Sequence, residues 1–206
     1  MFTNKLSRRE MLTVTAALAI SPLVLPGMAA AGRRTANTTT LTDDETNDLI
    51  FMREEEKLAR DVYLTLYGIW GTPVFANIAT SEQQHMDAIL GLLNTYKIPD
   101  PTVGKLVGEF VNDELQNLYD ELVAKGAQSA LDALIVGGII EETDVKDIQS
   151  AMETTTVRNI DRVYSNLLNG SFNHLRAFSS NITAITGEPY VAQVLYQDVV
   201  DAILEN

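Results

Sequence analysis

The sequence predicts an all-α protein: a bundle of four long helices, with a crossover segment that contains a short helix and with an extra helix at the C-terminus. Three observations carry this expectation. Apolar residues recur at steps of three and four in four long stretches, the period of an amphipathic helix. Breaks rich in glycine, proline or threonine separate those stretches, and almost nothing alternates as a strand does. The chain has 206 residues, 46% of them hydrophobic and 21% charged, which allows a sizeable core and argues against disorder.

In the first helix Leu49, Met52, Glu56, Ala59, Tyr63 and Leu66 form one seam, and Gly68 and Gly71-Thr72-Pro73 end it. The second runs from about Val74 to Tyr96 with Ile78, Glu82, His85, Ile89 and Leu92 in line, stopped by Ile98-Pro99-Asp100-Pro101. A glycine-punctuated crossing follows, within which Asn112 or Asp113 can cap a short helix with an apolar face of Leu115, Leu118, Tyr119 and Leu122. Ser129 is the expected cap of the third long helix, whose seam is Leu131, Leu134, Gly138, Glu141, Val145, Ile148 and Met152. The fourth gives Val157, Ile160, Tyr164, Leu167, Ser171, His174 and Phe178, and breaks at Thr186-Gly187-Glu188-Pro189. A final amphipathic stretch from Tyr190 to Leu204 is expected to pack across one end of the bundle.

Residues 1–31 read as an export signal. Lys5, Arg8 and Arg9 precede an apolar run from Met11 to Leu25, then Pro26, Gly27 and a small-residue stretch ending Ala29-Ala30-Ala31. The apolar run is too short for a permanent membrane span and contains Pro22. The string Ser7-Arg8-Arg9-Glu10-Met11-Leu12 resembles a twin-arginine (Tat) signal, which implies export in a folded state to the periplasm, the cell surface or beyond. Residues 32–47, rich in threonine and without periodicity, read as a flexible linker, which leaves 48–206 as the helical domain. Three of the 15 basic residues and one of the 28 acidic ones lie in the signal, so cleavage takes the net charge from −13 to −15. Such a chain lacks the basic face that nucleic acid requires.

Polar residues interrupt the apolar seams. Glu56 lies on the first, Glu82 and His85 on the second, Glu141 on the third and His174 on the fourth. An unpartnered carboxylate is costly to bury and several repel one another, so this placement calls for protons, cations or a metal. Glu82 and His85 stand one turn apart on one face and can chelate from a single rigid element. Carboxylate and imidazole ligands suit iron, manganese or zinc, and the absence of cysteine excludes thiolate sites. Tyr63 is the candidate catalytic side chain, able to orient a ligand or to donate an electron or a proton. Glu54, Glu55 and Lys57 read as solvated charges, with Lys57 and Arg60 screening an acidic helix; Trp70 and the methionines read as packing.

The strings Arg53-Glu54-Glu55-Glu56-Lys57-Leu58-Ala59-Arg60-Asp61-Val62-Tyr63, Ser81-Glu82-Gln83-Gln84-His85-Met86-Asp87, Gly137 to Asp144, and Gly170-Ser171-Phe172-Asn173-His174-Leu175-Arg176-Ala177-Phe178 make the chain resemble the ferritin-like superfamily, close to the DUF2202 family. The resemblance covers about residues 45–180, and Glu56-x-x-Ala59-Arg60-x-x-Tyr63 is similar to the first metal helix of rubrerythrins. It implies a ferritin-like four-helix bundle with a di-metal site, in which two helices give one Glu each and the other two give Glu-x-x-His. Ser171 stands where the second Glu-x-x-His pair has its Glu. Asp144 is the best replacement carboxylate, and Glu142 is the alternative to Glu141.

The expected metal ligands are therefore Glu56, Glu82, His85, Glu141, Asp144 and His174, holding iron, with manganese or zinc as alternatives. The expected activity is a non-haem iron ferroxidase or peroxidase that takes dioxygen or peroxide and receives electrons from a separate donor, with a homodimer as the assembly allowed for. The competing expectation is a non-catalytic exported bundle, binding metal structurally or not at all, that serves as an interaction module. Replacing Arg8 and Arg9 together by Lys is expected to keep the folded domain inside the cell; unchanged secretion, followed by immunoblotting of cell fractions, overturns the Tat assignment.

Overall fold

The computed structural model describes residues 40–205. The expected signal, and the linker as far as residue 39, lie outside them. Among the described residues there are six helices and no strand: α1 (Asp43–Trp70), α2 (Pro73–Tyr96), α3 (Asp113–Gly126), α4 (Ala130–Thr154), α5 (Arg158–Thr186) and α6 (Gln197–Glu205). The all-α expectation and the order of elements hold. The ordered domain begins earlier than residue 48, because Thr42 and Glu45 form a reciprocal capping box that starts α1 inside the expected linker. Asn112 caps α3 and Ser129 caps α4, each through its side-chain oxygen.

The four long helices pack as α1 on α2, α4 on α5, α1 on α4 and α2 on α5. Gly71, at φ 66°, closes α1 in a left-handed cap that an L side chain would strain, and Pro73 opens α2 two residues on. Contacts between helix ends give their directions. Glu45 near the start of α1 accepts from Thr155 and Thr156 beyond the end of α4, and Tyr63 late in α1 reaches Glu141 in the first half of α4. Tyr96 at the end of α2 donates to Asn159 at the start of α5. So α1 is antiparallel to α4, α2 is antiparallel to α5, and α2 and α4 run the same way. The chain must therefore return along the bundle between them. It does so through residues 97–112 and α3, which lies along α1 from Glu54, an acceptor for Val111 N at 2.6 Å, to Trp70, whose Nε1 donates to Gly126 O at 2.8 Å.

That return overturns one expectation. Glu54, Glu55 and Lys57 are not solvated, with exposures of 2%, 5% and 1%. The crossing and α3 cover the face of α1 that periodicity marks as outward. Lys57 pairs with Asp61, donates to Leu106 O at 2.7 Å and lies 4.5 Å from the centre of the Phe110 ring. Asp61 also accepts from Arg60 and from Gly108 N. These polar groups fasten the return segment to α1.

The C-terminal stretch also differs from expectation. Only Gln197–Glu205 is helical, and the stretch covers the α4–α5 side of the bundle rather than one end. The cause is Glu142, whose carboxylate accepts from the backbone N–H groups of Gln193, Val194 and Leu195 and from Tyr190 OH. Tyr190 lies over Gly138, where an added Cβ would come within 2.2 Å of its hydroxyl.

The apolar interior falls into two clusters. One holds Val62, Leu66, Phe75, Ile78, Leu134, Phe178 and their neighbours; the other holds Leu49, Met52, Ile89, Leu93, Ile148, Ile160 and Leu167. On α1, α2 and α5 the boundary between them falls at Glu55–Glu56, Glu82–His85 and Ser171–His174. The bundle is thus two oily ends with a polar layer between them. Lys57→Ala is expected to cost about 3 kcal/mol, the low end for breaking a buried ion pair because Asp61 keeps other donors, where a solvated lysine would cost almost nothing; denaturant unfolding measures it.

Candidate metal centre

The polar layer takes one or two side chains from each long helix. Glu56 and Glu141 come from α1 and α4, Glu82 and His85 from one turn of α2, and His174 from α5. His85 Nδ1 lies 3.1 Å from Glu56 Oε2 and 2.8 Å from Glu82 Oε2. His174 Nδ1 lies 2.7 Å from Glu82 Oε1 and 3.3 Å from Glu141 Oε2. The two imidazole rings stack with centroids 5.5 Å apart. Two groups result, Glu56–Glu82–His85 and Glu82–Glu141–His174, and within each the ligand atoms lie within 4.8 Å of one another. Glu82 belongs to both and turns one oxygen to each histidine. Either group could hold a metal ion.

Alignment says more than distance. Both Glu82 oxygens, Glu141 Oε2 and His174 Nδ1 are buried, yet none makes a hydrogen bond of acceptable geometry, although they lie within contact distance. The remaining ring nitrogen of His174 is held by Ser81 Oγ at 2.9 Å, which fixes the ring orientation. Without an ion the charges lean on each other. Burial opposes charge on every group, but Glu56 and Glu82 outweigh it at His85 and push that ring up to about 10. Glu141 and Glu82 push His174 up to about 11. In return the two imidazoles hold Glu82 down at about 2, while burial lifts Glu56 to about 8.

Tyr63, expected to be catalytic, donates its hydroxyl to Glu141 Oε1 at 2.5 Å and belongs to neither group. Burial, and then the charge of Glu141, raise its pKa well above that of a free phenol, so it stays protonated and orients the carboxylate. Between Glu141 and Glu142 the structure separates the roles: Glu141 faces the centre, and Glu142 faces the C-terminal segment. Asp144 is buried and belongs to neither group, while lying near enough to feel the charges of Glu55, Glu141, Glu56 and Glu82. Ser171 is buried and turns its hydroxyl back to Leu167 O in its own helix at 3.2 Å.

Two contributors escaped the sequence reading. Ser81 precedes Glu82, and nothing in the seam pattern marks it. Gly170 lies against His85, and a Cβ there would come within 2.4 Å of Nε2, so only glycine leaves room for the ring. A glycine within a long helical pattern is the signal that could have found it, since such a residue usually has a packing reason.

The "Uncharacterized protein domain (DUF2202)" profile matches residues 45–206. The chain belongs to the DUF2202 family. The match runs past the motifs to the C-terminal helix, so the segment clamped by Glu142 is part of the DUF2202 domain. The chain is 44% identical over 169 residues to "Uncharacterized protein MJ0754" of Methanocaldococcus jannaschii, covering 81% of this chain and 91% of that one. It is similar also to the "Crystal structure of hypothetical protein MJ0754 from Methanococcus jannaschii DSM 2661", with a TM-score of 0.78 and 42% identity over 86% of this chain and 98% of that one. The two folds are both all-helical.

Gly170→Ala keeps every candidate ligand but forces the His85 ring aside. It is expected to weaken metal binding about tenfold or more, the usual cost of disturbing a group that positions a ligand. Titration with Mn2+ followed by electron paramagnetic resonance checks this; an unchanged affinity removes His85 from the site.

Proposed function

We propose that this DUF2202 protein is a ferritin-like di-metal oxidoreductase, exported through the Tat route, that binds iron at the two groups sharing Glu82 and reacts with dioxygen or peroxide. The observation that carries the reading is the set of buried, unaligned ligand atoms: both oxygens of Glu82, Glu141 Oε2 and His174 Nδ1. Buried polar atoms are rarely left without a partner. Four such atoms on three facing helices lie within ligand distance in two groups that could hold a cation. Oxygen and imidazole donors without thiolates suit iron or manganese. The single crossover between α2 and α4 is the topology of ferritin-like bundles, and it supports the fold assignment.

When bound, the iron supplies the Lewis acidity and the electrons. The chain supplies the rest. Glu82 holds two positions at once from one rigid turn, and Tyr63 and Ser81 fix the orientations of Glu141 and His174. The two apolar clusters keep bulk water from both ends of the layer. Ser171 stands where the ferritin-like pattern has a carboxylate, and its hydroxyl turns back to Leu167 O, so α5 would hold the metal through His174 alone. Reducing equivalents come from a separate donor, because a chain without cysteine carries no thiolate-bound iron of its own.

Anaerobic loading with Fe2+ followed by peroxide tests this. About two ferrous ions per chain are expected, oxidised faster than free Fe2+, with the reaction abolished in His174→Ala. Loss of all metal on desalting overturns the reading. Bound iron that peroxide does not oxidise leaves a structural metal bundle, which is the competing interaction-module assignment.

A further inference from the structure

Where α3 packs against α1 and α4 a small cavity of about 30 Å³ remains, walled by Leu58 of α1, Leu118 and Leu122 of α3, and Ile139 and Ile140 of α4. This is more than the roughly 10–15 Å³ that admits one water and far less than an organic ligand needs. A water would find nothing there to hold it. The hydroxyl of Thr143, on the same wall, already donates to Ile139 O of its own helix at 2.8 Å. Glu55 and Asp144 also border the cavity, but Glu55 Oε2 and Asp144 Oδ2 are buried and do not open into it. The surface facing the cavity is almost wholly carbon. Apolar cavities stay dry and take up apolar solutes, rare gases among them.

Position gives the cavity a use. Glu55 precedes Glu56 on α1, and on α4 Ile140 precedes Glu141, with Asp144 one turn further on. Asp144 lies near enough to the triads to feel the charges of Glu141, Glu56 and Glu82. On the other side Leu118 and Ile139 are only half-buried, so the cavity lies close beneath the surface. It is an apolar stop between solvent and the polar layer.

We propose that this cavity is a dioxygen-binding site from which the gas reaches the two triads, so that dioxygen is the oxidant this route selects. The proposal rests on the metal-binding reading above and narrows its oxidant. Dioxygen has no hydrogen-bond donor to satisfy, whereas hydrogen peroxide carries two O–H donors that this lining would leave unpaired.

Dissolved dioxygen is paramagnetic and speeds the relaxation of protons that it touches. Nuclear magnetic resonance of the full chain without iron, under oxygen pressure, therefore reads the site with no redox chemistry. The methyl groups of Leu58 and Ile140 are expected to relax severalfold faster than those of Ile89 and Leu93, which are equally buried in the other apolar cluster. Leu118→Phe, which fills the cavity from its outer wall, is expected to abolish the difference. In the ferrous protein the same variant is expected to slow oxidation by dioxygen severalfold and to leave oxidation by peroxide at the parental rate. Equal relaxation in the two clusters overturns the site, and that measurement needs no variant, so it decides even if Leu118→Phe fails to fold. Parental dioxygen rates in a folded Leu118→Phe overturn the route, and an equal loss with both oxidants overturns the selection of dioxygen. A chain that binds no iron overturns the metal-binding reading and the route with it, while the relaxation measurement still decides whether the cavity holds the gas.

Discussion

Glu82 has both carboxylate oxygens inside the bundle, one facing each imidazole, and is 1% exposed. Taking such a group out of water is expensive unless charge of the opposite sign comes with it. The surroundings of Glu82 are arranged around that cost. Two histidines approach it from two helices, two further glutamates approach the histidines, and the helices that carry them must come close enough for contact. Gly170 leaves room for one ring, and Ser81 fixes the other. The crossing, α3 and the C-terminal segment then shut water away from flanks that a bare four-helix arrangement would leave open.

The same cost is met differently elsewhere in the chain. Lys57 and Asp61 are equally buried, but they are satisfied by each other, by a backbone carbonyl, by a backbone N–H and by an aromatic face. Glu142 is satisfied by three backbone N–H groups and a phenol. Those carboxylates are structural, and they show that this fold can neutralise a buried charge completely. Against that background Glu56, Glu82, His85, Glu141 and His174 stand apart, because these charged groups lean mainly on one another and form two groups that could hold an ion.

Helix periodicity made the centre legible because each of Glu56, Glu82, His85, Glu141 and His174 replaces an apolar residue on a seam, and a seam faces inward whatever the tertiary details. The outer face of α1 was illegible for the complementary reason. Glu54, Glu55 and Lys57 look solvated on a lone helix, and only the return of the chain over them, a contact some fifty residues away in sequence, buries them. Glu142 and Asp144 sit between these cases, near enough to Glu141 for a register of one to be undecidable from spacing. The late stretch from Tyr190 read as one helix because its apolar spacing is helical, whereas Glu142 captures the backbone N–H groups of residues 193–195 and holds the start of the stretch out of helix.

The two triads differ in how they are assembled along the chain. Glu56, Glu82 and His85 all belong to the α1–α2 hairpin, whereas Glu141 and His174 belong to the α4–α5 hairpin and need Glu82 from the other. An ion in the first position would link only neighbours in sequence, and a half-assembled chain with one hairpin formed already has every donor for it. An ion in the second would stitch the two hairpins together, so its release would be tied to their separation. Two chemically similar positions would therefore report on different unfolding events: one on the fraying of a local unit, the other on the cooperative opening of the whole domain.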